Sequence, residues 1–149
     1  MHRADIQLKK LETWVNKKGF LLIKGKQKHI IDQIFMDKKI IFLSTRQKPI
    51  NQLFSFLHEA GHLLIRIDNK KFVKEFPTLS SLEDKEGIKK PLRYYAEEVY
   101  EEQVAWKNGE KIAEELKIPL DVNAYYKYAS RFLLQYMAMA TCDRKWLIK

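Results

Sequence analysis

The row Ile50, Leu53, Phe54, Leu57, Gly61, Leu64 and Ile65 leaves the middle of this chain little choice of structure. Apolar residues three and four positions apart form one face of an α-helix. Pro49 suits the first turn of such a helix, and the spacing predicts a helix over about residues 49–68. Within it lies FLHEAGHLL, Phe56 to Leu64, where His58 and His62 stand one turn apart on the same face. Two imidazoles so placed can ligate one ion. Glu59 sits one residue along, beside the ion rather than on it. There a carboxylate can take a proton from a metal-bound water and pass it to a leaving amine. Gly61 keeps the helix slim where another element approaches. Two surface histidines on a helix flank are the bland alternative, which fits poorly: the chain has only 4 histidines, and two fall in this pattern.

A site of this kind takes three protein ligands and keeps a fourth position for water. His62 is followed by LLIRIDNK, with no third histidine, and His2 and His29 lie far upstream. A carboxylate is therefore expected. A second long helix is predicted over about residues 92–117, stopped by Pro119. Its inward row reads Tyr95, Val99, Glu102, Trp106, Gly109, Ala113, Leu116, in which Glu102 is the one charged member. A buried carboxylate is costly unless it is paired or binds a cation. Glu98, one turn earlier, is either the alternative ligand or an acceptor for a ligand histidine. Glu97, Glu101, Glu110, Glu114 and Glu115 read as solvated charges.

Around these two helices the pattern predicts a helix over residues 4–18, ended by Gly19. Short β-rich runs follow over about residues 20–44: GFLLIKG, KHIIDQIFM and KIIFLS. The last two are expected to pair as a hairpin through Asp37–Lys39, giving a small antiparallel sheet. The polar stretch at residues 68–91 reads as loop with a short ordered piece. Asp121 can cap a last helix over about residues 122–140. The fold class expected is α+β, a small sheet packed on a mainly helical body, with residues 1–149 forming one domain.

Charge is unevenly spread. Residues 1–50 hold 12 Lys and Arg against 4 Asp and Glu, whereas the remainder holds 16 against 15. A basic half can face nucleic acid or an acidic partner, although these lysines are scattered and mostly lack interleaved aromatics, as a solvated surface would. A single cysteine, Cys142, excludes an internal disulfide framework and a cysteine-based zinc cage. No apolar run approaches membrane-spanning length, and the first residues lack the apolar core of a secretory signal. A cytoplasmic location without membrane partners is expected.

With LHEAGHLL on one helix, preceded by strands, and EQVAWKNGEKIA on a later one, the chain resembles the ImmA/IrrE-like metallopeptidases over about residues 20–117. These are compact, zincin-like, gluzincin-type proteins common in phages, prophages and bacterial stress regulators. The resemblance implies Zn²⁺ on His58, His62 and Glu102, with Glu59 as general base. It also implies a protein substrate, with a DNA-binding transcriptional repressor as the class. Val104 departs from the family pattern, standing where many relatives have another glutamate. Peptide is expected to add to an exposed edge strand at Lys39–Ser44. Tyr95, with Tyr94 and Tyr125 as alternatives, is the candidate oxyanion stabiliser. The competing function is a zinc-binding regulatory or interaction protein without protease activity, contacting nucleic acid through the basic half. Glu59 discriminates the two, because a purely structural site has no need of a general base.

Overall fold

The computed structural model describes residues 3–142, with side chains through Met139. Helix α1 (Arg3–Lys17) buries Leu8, Leu11 and Val15 and is followed by Gly19, whose positive φ of 88° turns the chain into the sheet. Three strands follow: β1 (Leu21–Gly25), β2 (Gln33–Phe35) and β3 (Ile40–Ser44). Helix α2 (Pro49–Arg66) runs next, with Pro49 in its first turn. The stretch predicted to be mostly loop instead forms two short helices, α3 (Asn69–Glu75) and α4 (Pro77–Leu82). Long helices α5 (Leu92–Glu115) and α6 (Val122–Cys142) complete the described chain. Asp121 caps α6, accepting from the Ala124 N–H at 3.1 Å.

The α+β class holds, with the sheet mixed rather than wholly antiparallel. Its order is β1-β3-β2, with β2 and β3 an antiparallel hairpin through Asp37–Lys39 and β1 parallel to β3. The chain leaves β1, crosses to the far side to form β2, and returns between them as β3. Lys39–Ser44 is therefore not an exposed edge. Ile41 and Leu43 of β3 are both 0 % exposed, facing the helical core, and the strand with the best-buried face takes the centre. The open edges are β1 and β2.

The main core joins Leu11 and Val15 of α1, Ile41 and Leu43 of β3, and Leu53, Phe56, Leu57, Ala60 and Leu63 of α2 to α5 and α6. A second cluster, Ile65, Phe72, Phe76, Leu79, Tyr94 and Ala105, seats α3 and α4 on α5. Helices α2 and α5 run antiparallel in close contact: Gly61 lies against the Ala105 backbone, and Gly109 against Leu57 and the Tyr125 hydroxyl. A Cβ at either glycine would collide with these neighbours. That close approach brings polar groups on the two facing helices within bonding distance.

Candidate metal centre

His58, His62 and Arg66 form a row at four-residue spacing on α2, and this row faces Glu102 and Glu101 of α5. His58 Nε2 lies 2.7 Å from Glu102 Oε2, and His62 Nε2 lies 3.2 Å from Glu102 Oε1. The two histidine Nε2 atoms are 3.1 Å apart. Among the described residues these three side chains form a group able to hold a metal ion, and Glu98 is outside it. Four ligands arranged tetrahedrally at zinc–nitrogen bond lengths stand about 3.3 Å apart, so the spacing fits one ion. Two imidazoles and a carboxylate also suit zinc chemically.

The supports around this triad are specific. The His58 ring stacks on Trp106, with centroids 4.1 Å apart and planes within 7°. The second nitrogen of His62, Nδ1, meets Glu101 Oε2 at 3.1 Å. This carboxylate fixes the ring and aims Nε2 at Glu102 and His58. Glu101 is in turn gripped by Arg66, with Nε to Oε2 at 2.7 Å and Nη2 to Oε1 at 2.8 Å. Arg66 also donates to both oxygens of Glu83, at 2.8 and 2.9 Å. Glu101 thus departs from its expected role as a solvated charge: it is 4 % exposed. Glu97 departs in the same way, accepting from the Thr78 and Leu79 N–H groups, each at 3.0 Å, at the start of α4.

Electrostatics follow from these contacts. Burial disfavours the Glu101 and Glu102 carboxylates, but hydrogen bonds from Arg66 and the histidines outweigh it. Glu101 is held down at about 2, and Glu102 falls well below the usual carboxylate range. Burial works against a charged His62, yet Glu101 and Glu102 outweigh it and raise its affinity for a proton. The centre is an anionic pocket that favours a cation. Glu59, buried at 6 % exposure, has its Oε1 3.5 Å from His58 Nδ1. Burial pushes its carboxyl upward, with the two histidines opposing.

The centre lies in a cleft of about 880 Å³ bounded by β2, α2, α5 and α6. Glu98 lines it one turn before Glu102, half-buried, its carboxyl raised by burial and by Glu102. Of the candidate tyrosines, Tyr94 lines the cleft, and Tyr95 packs edge-on against Tyr94 without being among the lining residues. Tyr125 is wholly buried, donating to the Trp106 carbonyl at 2.6 Å. Tyr136 of α6, which sequence reasoning missed, lines the cleft with Glu102; burial and the neighbouring carboxylates push its hydroxyl upward. A tyrosine among the exposed Leu134, Met137 and Met139 carried no distinguishing signal. Glu101 had one: Arg66 follows His62 by one turn on a buried helix, and a cation there calls for a facing carboxylate.

A His-Glu-x-x-His helix joined by a carboxylate from a second, antiparallel helix defines a metallopeptidase-like protein. The chain belongs to the peptidase family described as the IrrE N-terminal-like domain, whose model matches residues 8–84, just over half of the chain. That span covers α2 and its histidines, while Glu102 joins them from outside it. No curated protein and no solved structure matches the chain. No helix among the described residues is long and apolar enough to cross a membrane.

Proposed function

We propose that this chain is a zinc-dependent endopeptidase acting on a protein segment held in the cleft between β2 and α5, with His58, His62 and Glu102 as the zinc ligands. The observation that carries the reading is the convergence of these three side chains within 4.8 Å of one another, with Glu59 beside them. Zinc on these atoms supplies a Lewis acid for the scissile carbonyl and lowers the pKa of water to about 7. Glu59 accepts a proton from the attacking water and returns it to the leaving amine. It is buried and lies 3.5 Å from His58 Nδ1, next to the ligand set. Tyr136 keeps its proton and donates to the oxygen on which charge develops. The open edge of β2, which lines the cleft, pairs with the backbone of the substrate.

Family membership supports a protein substrate, and the resemblance favours a transcriptional repressor in the cytoplasm. The test is a paired measurement on zinc-loaded protein with a proteome-derived peptide library. Glu59→Gln is expected to keep its zinc and lose on the order of 10²–10⁴ in hydrolysis. Tyr136→Phe is expected to lower kcat by about 10² with KM and zinc content preserved. Hydrolysis by Glu59→Gln at the wild-type rate, or no hydrolysis by the zinc-loaded wild type, would sink the reading.

A further inference from the structure

The inference here rests on the peptidase reading and names the kind of segment the cleft takes. Eight carboxylates line the cleft against one permanent cation, Arg66, in a chain whose formal net charge is +9. Five of the eight are already engaged. Asp32 accepts from the Ser44 N–H at 2.8 Å and from the Gln47 side chain, which pins the chain entering β2. Glu83 and Glu101 share Arg66. Glu102 belongs to the ligand triad and Glu59 is the base. Asp37, Asp84 and Glu98 are drawn into none of these bonds. Asp37 and Asp84 are exposed on the rim, at the end of β2 and just beyond α4, while Glu98 is half-buried on α5.

One feature marks the cleft as a peptide site independently of its charge. The open edge of β2 offers unpaired backbone groups beside the triad. The acids then decide which side chains such a peptide carries. A dipositive ion and Arg66 together leave the eight carboxylates far from neutralised, and a partly enclosed cleft screens like charges poorly. Its field gathers cationic groups and repels anionic ones.

We propose that the cleft selects extended segments bearing lysine or arginine beside the scissile bond, with Asp37, Asp84 and Glu98 as the groups that receive them.

The experiment measures binding by fluorescence anisotropy to zinc-loaded Glu59→Gln protein, with wild-type cleavage followed in parallel. Labelled peptides alternate valine with lysine, glutamine or glutamate. The lysine peptide is expected to bind on the order of tenfold more tightly than the glutamine peptide, and the glutamate peptide more weakly than either. Adding Asp37→Asn and Asp84→Asn, two exposed positions outside the hydrogen-bond networks, is expected to cut the lysine preference several-fold and leave glutamine binding unchanged. Equal binding of lysine and glutamate peptides, failure of all three to bind, or a preference untouched by these substitutions together with Glu98→Gln would overturn the proposal. Lysine-selective binding without cleavage by the wild type would overturn the peptidase reading and leave the cleft preference standing. Equal cleavage of lysine and glutamate peptides would do the reverse.

Discussion

Helices α2 and α5 bury polar groups against each other for different reasons. Helix α2 is apolar on nearly every side: Leu53, Phe56, Leu57, Ala60 and Leu63 are all at or below 2 % exposure. Its histidines and Glu59 are carried inward by their neighbours. Helix α5 is polar for much of its length, yet it buries Glu97, Glu101 and Glu102. Each carboxylate there has its own partners: α4 N–H groups for Glu97, Arg66 and His62 for Glu101, both histidines for Glu102. Hydrophobicity orients α2, whereas α5 adds charge pairing to an apolar face of Trp106, Ile112 and Ala113.

The largest effect on this pairing is expected from Gly61→Ala, which forces a methyl group into the Ala105 backbone. The two helices must separate, at a cost of about 3 kcal/mol in urea unfolding, with metal affinity falling as the triad spreads. Unchanged stability would mean that the helices do not touch there. A smaller, local effect is expected from Glu101→Ala, which frees the His62 ring and leaves Arg66 to Glu83 alone. Zinc affinity, measured by competition with a chromophoric chelator, should fall about 10–100-fold, and Glu101→Gln should recover part of it. An affinity equal to wild type would reduce Glu101 to a structural ion-pair member.

Glu97 gives the smallest effect and the one that tests charge pairing away from the metal. Burial raises its carboxyl, but bonds from Leu79, Thr78 and Arg93 prevail and hold it below its ordinary value of 4.5. Its ionised form therefore stabilises the fold above that value, and the contribution fades as pH falls through the lower folded value. Glu97→Gln should cost about 1 kcal/mol at neutral pH. The gap to wild type should close as pH falls below the ordinary value of 4.5. A gap constant across that range would show that Glu97 acts by shape rather than charge.

Much of this was legible in the sequence, because period and turn chemistry act locally. The 3–4 spacing located α1, α2, α5 and α6, and the motif on α2 with the inward Glu102 on α5 named the residues that the structure brings together. Strand order was not legible. Chain neighbours β1 and β2 do not pair, and only the full burial of Ile41 and Leu43 puts β3 between them. Helices α3 and α4 were hidden because each buries few side chains (Phe72 and Leu79, with Phe76 at their junction) amid lysines, serines and a proline. The inward row of α5 was read too narrowly. Of that row Tyr95, Val99 and Leu116 are half-buried, while Tyr94, Glu97, Glu101, Ala105 and Ile112 are buried alongside its other members, because the helix packs on α2 and α4 together. Propensity cannot reveal a carboxylate whose burial depends on a partner 35 residues away, as with Arg66 and Glu101.

The central claim is that one metal ion joins α2 to α5 through His58, His62 and Glu102. An anomalous-difference map at the zinc edge, from crystals grown with zinc, tests it most directly. The account expects one peak, bonded to Nε2 of both histidines and to the Glu102 carboxylate, with a position left for water and Glu101 still on His62 Nδ1. No peak there, or an ion closed off by a fourth protein ligand, would contradict it.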